Sequence, residues 1–212
     1  MRLSAVLLAL ATTSIASTAS ALDGPDTSHG RIDGDLSASL ALGATFSANV
    51  GAPRAALDLR LRYLWTAGVF ATYEDGPLVG SSSEPRRAFA GGIELRPLFL
   101  AKWLQGKETG NAYLDLTIDS LGLELGALFL QPVGTSFGSK LGLQAGLGLQ
   151  VPIFPRATGP VIGLHGGARW SDAMLSGGDA ENPSDRSLFF LLTVGWQQVF
   201  GAHIVDLGDR AP

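Results

Sequence analysis

Hydrophobic and polar residues alternate strictly along several segments of this chain. Residues 57–63 read Leu-Asp-Leu-Arg-Leu-Arg-Tyr, so apolar side chains occupy the odd positions and charged side chains occupy the even ones. Successive side chains of a β-strand point to opposite faces, so a period of two indicates a strand. This strand therefore has one wholly apolar face and one charged face.

The same alternation recurs along the rest of the chain and predicts a sheet of many strands. The clearest segments are residues 35–50, 55–74, 87–96, 121–129, 140–151, 161–171 and 187–200. A closed single-chain bacterial barrel has an even number of strands. Residues 112–118 also alternate, and we predict that they form the eighth strand, paired with 120–131. The phase of the pattern flips at Asp119-Ser120, which indicates a bulge or a tight reversal there.

The connections between these segments carry turn and helix signals. Residues 51–53, Gly-Ala-Pro, predict a turn after the first strand. Residues 75–85 are rich in Gly, Ser and Pro and, with this strand count, would lie on the periplasmic side of a membrane barrel. Residues 98–106 are typical of a short interfacial amphipathic helix. An acidic loop covers 172–186.

The apolar phase repeats on strand after strand, whereas the opposite phase is small and polar. Lipid outside and a packed polar interior explain that pattern most simply. We therefore predict an all-β fold, a closed antiparallel up-and-down transmembrane β-barrel of eight strands. The alternative is a soluble calyx, whose large apolar side chains would point inward around an apolar ligand. Apart from Arg87, the first residue of its strand, no charged residue falls on the predicted lipid face of the clear strands.

The start of the chain has the pattern of a secretory signal. Arg2 precedes the apolar run 3–10, and 19–21 read Ala-Ser-Ala, a small-residue cleavage motif. We predict a signal peptide at 1–21, a flexible lead-in at 22–33, the barrel at 34–200 and a C-terminal tail at 201–212. Removal of 1–21 changes the net charge from −4 to −5, which argues against a nucleic-acid partner. The chain has no Cys, which excludes disulfides and thiolate metal sites.

Aromatic residues fall on the predicted outward phase near strand ends, as in the interfacial girdles of membrane barrels. They are Tyr63, Trp65, Tyr73, Phe89, Trp170, Trp196 and Phe200.

The last strand resembles that of the small outer-membrane β-barrel proteins of Gram-negative bacteria. Their final strand has the form polar-x-Gly-x-x-hydrophobic-x-aromatic, and residues 193–200, Thr-Val-Gly-Trp-Gln-Gln-Val-Phe, are similar. Gln198 stands at a hydrophobic position of that motif, and twelve residues follow Phe200. The resemblance implies an outer-membrane location, outer-membrane lipids as partners, and recognition by the outer-membrane assembly machinery through Gly195, Trp196 and Phe200.

Charged residues on the polar phase are the candidate functional residues. We predict a lumen charge network of Asp58, Arg60, Arg62, Glu94, Arg96, Glu124, Lys140, His165 and Arg169. Arginine and carboxylate side chains from neighbouring strands can pair inside a barrel, and eight strands leave room only for side chains. The network would then fill the interior of a structural or ligand-interaction barrel. The alternative is a narrow path for a small solute lined by Arg60, Arg62 and Glu94.

A third alternative is a lipid-modifying outer-membrane enzyme that uses His165 with a Ser and a carboxylate. None of the three histidines lies near an obvious Ser and acid pair in the sequence, and a hydrogen-bonded lumen histidine explains His165 as well. The acidic loop 172–186 is rich in oxygen ligands but lacks EF-hand spacing. We therefore predict no catalytic residue, no metal site and no cofactor.

Overall fold

The chain forms a closed antiparallel barrel of eight strands in which each strand pairs with the next and the last closes against the first. The computed structural model describes residues 28–48, 50–79, 85–177 and 185–202. The predicted all-β, eight-stranded barrel is confirmed. The predicted signal peptide 1–21, the start of the lead-in and the tail from residue 203 lie outside the described residues. The strands are β1 Leu36–Ser47, β2 Val50–Tyr63, β3 Ala67–Asp75, β4 Arg87–Leu95, β5 Gly122–Gln131, β6 Lys140–Pro152, β7 Gly159–Ser171 and β8 Arg186–Phe200.

Three short helices occupy the connections. Helices α1 (Pro97–Leu104) and α2 (Ala112–Asp119) lie between β4 and β5, and α3 (Asp172–Leu175) follows β7. Helix α1 confirms the helix predicted near 98–106. Within the described residues, no helix is both long enough and apolar enough to cross a membrane.

The strands are strongly staggered. Following the pairing once around the barrel from Leu36 leads back to β1 at Phe46, ten residues further along. With about 3.3 Å per residue and about 4.8 Å between strands, this stagger corresponds to a strand tilt of about 40°. At that tilt the strands, which have 9 to 15 residues, rise about 23 to 38 Å along the barrel axis.

The predicted strand 55–74 is two strands joined by a tight hairpin. Leu64 and Trp65 have positive φ angles of 46° and 59°, and the Thr66 N–H donates to the Tyr63 carbonyl at 3.0 Å. Two central residues with positive φ are the signature of a type I′ turn, which favours Gly and Asn. The turn contains neither Gly nor Asn. Because the connection 64–66 has three residues, the odd-numbered positions face outward on both strands. The alternation of apolar and polar residues therefore continues unbroken through the turn, and the sequence pattern does not indicate it.

The predicted eighth strand at 112–118 is wrong, because these residues form helix α2. Asn111 caps the helix, and its side chain accepts a hydrogen bond from the Leu114 N–H at 3.3 Å. The buried residues Asp115, Leu116 and Asp119 lie on one side of the helix. The phase flip at Asp119-Ser120 is the junction of α2 with β5, so neither a bulge nor a reversal is present.

Two further boundaries differ from the prediction. Residues 51–53 belong to β2, and the connection between β1 and β2 lies at 48–49.

The barrel has a terminal end, where β1 begins and β8 ends, and a distal end opposite to it. The connection 75–85 joins β3 to β4 at the distal end, because 64–66 forms a hairpin of its own. The predicted arrangement placed this connection on the periplasmic side, at the same end as the termini. In the structure it lies at the opposite end.

Candidate functional site

The two faces of the barrel wall differ sharply in polarity. On β2, Leu59 and Leu61 are exposed outside, whereas Arg60 and Arg62 are 3% and 1% exposed inside. The same division holds on β8, where Val194 and Trp196 are exposed and Gln197 is buried. Among the described strands, outward-facing charged residues occur only at strand ends of the distal end, at Asp75, Arg87 and Arg186.

Glu94 is the centre of a buried charge cluster inside the barrel. Its carboxylate accepts hydrogen bonds from Arg60 Nη1 at 3.1 Å, from Arg62 Nε at 3.0 Å and from Arg96 Nε at 2.7 Å. All four side chains are at most 1% exposed. Three arginines, two from β2 and one just after β4, therefore share one carboxylate.

Two more carboxylates complete this cluster. Arg60 donates to Asp58 through Nε at 2.7 Å and to Glu124 through Nη1 at 2.5 Å. Glu124 also lies 2.8 Å from His165 Nδ1. We name Asp58, Arg60, Arg62, Glu94, Arg96, Glu124 and His165 the central cluster. It holds three arginines and three carboxylates, so the formal charges of these six side chains balance.

A second cluster lies nearer the distal end. Glu74 accepts hydrogen bonds from Arg54 Nη2 at 2.8 Å and from Arg169 Nη2 at 2.5 Å, and Arg169 Nε donates to Gln144 at 2.8 Å. We name Arg54, Glu74 and Arg169 the distal cluster. Arg169 belongs to the predicted lumen network, whereas Arg54 and Glu74 were not predicted. Both lie in the same even-numbered phase as Arg60, so the alternation contained the signal.

The predicted network is thus divided between three places. Seven of its nine residues form the central cluster and Arg169 belongs to the distal cluster. Lys140 lies at the distal rim and forms an ion pair with Asp185. Apolar side chains pack inside the wall beyond the central cluster, and Arg60 and Arg169 stack on two of them, Phe70 at 5.5 Å and Phe189 at 4.2 Å.

Glycines make room for the central cluster, which gives a testable prediction. A Cβ atom at Gly148 would lie 2.3 Å from Glu124 Oε1 and 2.5 Å from His165 Nδ1, whereas at the outward Gly166 its nearest neighbour would be 3.4 Å away. We expect Gly148→Ala to lower the free energy of unfolding by about 1–3 kcal/mol through overpacking, and Gly166→Ala to change it little. Urea unfolding followed by tryptophan fluorescence measures both, and equal effects would contradict this packing.

The terminal end is closed by an apolar plug. Trp65, Phe99, Leu116, Ala157 and Val199 pack together there, and Arg96 lies 5.4 Å from the centre of the Trp65 ring. Trp65 is 3% exposed, so its prediction as an outward girdle residue is wrong. The positive φ of Trp65 turns its side chain into the plug instead of outward.

A third charge group, which the sequence pattern did not predict, lies beside this plug. Arg31 is buried and forms ion pairs with Asp119 and, at 3.3 Å, with Glu108. Lys102 Nζ lies 3.0 Å from Asp119 and 3.1 Å from Asp115. Residues 28–33 were predicted to be flexible, but the buried Arg31 packs them against helix α2. Residues 31 and 119 are too far apart in sequence for any local pattern to indicate this contact.

The ionisation of Asp115 and Lys102, at the terminal end of the barrel, gives a prediction for the pH dependence of stability. Burial alone would raise the pKa of Asp115, but hydrogen bonds from the Thr109 backbone N–H and from Lys102 hold the pKa well below its usual range. Burial likewise opposes the charge on Lys102, yet hydrogen bonds to Asp119 and Asp115 raise its pKa.

A carboxyl group whose pKa is lower in the folded protein stabilises the fold at pH values above its unfolded pKa of about 4. This stabilisation is lost as the pH falls through the folded pKa. A raised lysine pKa stabilises below about 10.4 and is lost as pH rises through the folded value. The contribution of both groups is therefore expected to be constant between about pH 5 and 9. Carbon NMR should show no titration of the Asp115 carboxyl between about pH 6 and 4, and a midpoint near 4 would contradict the geometry.

In the described part of the chain, no arrangement of side chains fits lipid modification by His165 or metal binding. His165 is 2% exposed and contacts Glu124 deep in the barrel. Among the described residues, no group of three or more His, Asp and Glu is arranged to hold a metal ion. Residues 178–184 of the acidic loop lie outside the described residues.

Comparison of the chain with protein-family models, with curated proteins and with solved structures finds no match.

Proposed function

We propose that this protein is an outer-membrane β-barrel with a structural or small-ligand-interaction role. The observation that carries the proposal is the inverted polarity of the wall, with exposed Leu, Val and Ile outside and ion-paired Arg, Asp and Glu inside. A soluble calyx needs the opposite arrangement, because large apolar side chains must leave water. In lipid, the same outer surface is fully compatible with its surroundings.

The dimensions of the wall support a membrane location. Strands that rise about 23 to 38 Å match an apolar membrane layer of about 25–30 Å. Outward aromatic residues lie near strand ends, including Phe89 and Phe129, whose ring centres are 6.1 Å apart, and Phe46 and Phe190, 6.4 Å apart. Aromatic girdles of membrane barrels occupy such positions. The signal-like start of the chain and the final-strand motif favour export and outer-membrane assembly.

The filled interior favours a structural or interaction role over conduction. Arg60, Glu94 and Glu124 bond across the barrel and are each at most 4% exposed. The apolar plug around Trp65 closes the terminal end. A conducting path would require these ion pairs to separate, and opening a buried pair carries a large penalty. The buried position of His165 gives no substrate access for lipid modification.

Electrophoresis and conductance measurements test this proposal. The protein should fractionate with the outer membrane and migrate as a compact species unless it is boiled. In planar bilayers it should show negligible conductance. A soluble fraction with identical boiled and unboiled mobility would overturn the membrane location. Steady conductance that is abolished by Arg60→Ala or Arg62→Ala would favour the narrow-channel alternative instead.

A further inference from the structure

We propose that the distal cluster binds one small inorganic anion, of about the size of chloride, between Arg54 and Arg169. This site does not depend on the membrane location proposed above. Three features of the distal cluster point to it: an excess of buried positive charge, an unpartnered donor group and a cavity that both arginines line.

The distal cluster holds two guanidinium groups and one carboxylate. Glu74 accepts from Arg54 Nε at 3.0 Å and Nη2 at 2.8 Å, and from both Nη atoms of Arg169 at 3.1 and 2.5 Å. The side chains of all three residues are at most 4% exposed. The neighbouring Lys140 is already paired with Asp185. Among the described residues, one positive charge is therefore left without a counter-charge, in contrast to the central cluster, whose arginines and carboxylates are equal in number.

Donor groups without partners lie beside this charge. Arg54 Nη1 is buried and has no hydrogen-bond partner among the described residues, although Nε and Nη2 of the same side chain are bonded. Thr45, directly opposite Arg54 on β1, is fully buried, and within the same part of the chain its hydroxyl has no partner either. An unsatisfied buried donor is unfavourable, and more so when it is charged. A negatively charged acceptor in contact with Arg54 Nη1 would satisfy that donor and compensate the charge.

A small cavity adjoins the two arginines of the distal cluster. Its volume is about 10 Å³, and its polar lining consists of Arg54, Arg169, Ser47 and Ser187. That space is close to what a single water needs. A monatomic anion fits with small side-chain movement, whereas phosphate or a carboxylate ligand is too large. Water would supply an acceptor, but it would leave the positive charge uncompensated.

Bromide, which scatters anomalously, tests the site in the wild-type protein. Crystals grown or soaked in bromide should show an anomalous peak in direct contact with Arg54 Nη1. A water molecule at that position in bromide-soaked crystals, or an empty cavity, would overturn the proposal. This test needs no variant, so it remains decisive even if substitutions impair folding.

Chloride binding in solution provides the second test. The chloride NMR line of the purified protein should show excess broadening that saturates with chloride concentration. Arg54→Met should weaken this binding by about tenfold or more, since it removes a charged donor. The exposed Arg87, which pairs with Asp75 at the rim, gives the matched control Arg87→Met, which should bind as the wild type does. Equal binding by the two variants would overturn the proposal. A bromide peak without saturable chloride binding would mean an adventitious ion only, and would overturn it as well.

Discussion

Replacing Leu59 by Arg is expected to lower the free energy of unfolding in bilayers by about 2–4 kcal/mol. Leu59 lies on the outer face of β2, opposite Ala71 at the middle of β3, and exposes 45% of its surface. If this face contacts acyl chains, Arg at that depth must carry its charge into hydrocarbon or distort the bilayer to reach water. On a water-facing wall, exchanging an exposed leucine for arginine would have little effect.

Leu64 provides a closely matched control. It also exposes 45% of its surface, but it lies in the hairpin turn at the terminal end. Leu64→Arg, and likewise Thr66→Arg in the same turn, should change the unfolding free energy by less than about 0.5 kcal/mol. Urea titration of the protein folded in lipid vesicles measures all three variants. Equal losses for Leu59→Arg and Leu64→Arg would contradict the assignment of the outer face to lipid.

Replacing Glu94 by Gln is expected to lower the free energy of unfolding by about 3–5 kcal/mol. Glu94 is the carboxylate that Arg60, Arg62 and Arg96 share. Its removal leaves three buried guanidinium groups with too few counter-charges, and breaking one side of a buried ion pair is strongly destabilising. The neutral amide has nearly the same shape, so the loss reports charge rather than packing.

An exposed ion pair gives the control for this second prediction. Arg87 Nε lies 3.3 Å from Asp75, and the two side chains are 39% and 49% exposed. Asp75→Asn should therefore alter the unfolding free energy by less than about 1 kcal/mol, as is usual for surface pairs. The same urea titration compares the two variants. Losses of similar size would mean that the central cluster is solvated rather than sealed.

The inside and outside of the barrel could be predicted from the sequence because a strand has a side-chain period of two. Once Leu59 is placed outside, Arg60 must lie inside, and the same logic extends to Glu124 and Arg169 on later strands. A turn with an odd number of residues leaves the phase of the alternation unchanged, so the period cannot indicate where such a turn lies. Leu64, Trp65 and Thr66 kept the phase, so the β2–β3 hairpin was missed.

Helix α2 was missed for the opposite reason. Leu114, Leu116 and Ile118 alternate by chance, and a short apolar run fits either a strand or a helix. Asn111 was the available signal, because Asn is a favoured N-cap residue. The pairing of Arg31 with Asp119 could not be predicted, since it depends on the lead-in and α2 meeting at the terminal end. Tertiary placement alone brings these residues together.

The contact of the outer wall with lipid can be measured directly at Val194. The chain contains no Cys, so a single introduced Cys can carry a nitroxide spin label. Val194, near the middle of β8, is 58% exposed, and Val133, in the distal connection after β5, is 59% exposed. In lipid vesicles, the label at residue 194 should collide with oxygen far more than with a water-soluble nickel chelate, and the label at residue 133 should show the reverse. A label at residue 194 that the nickel chelate reaches as readily as the label at residue 133 would contradict the account.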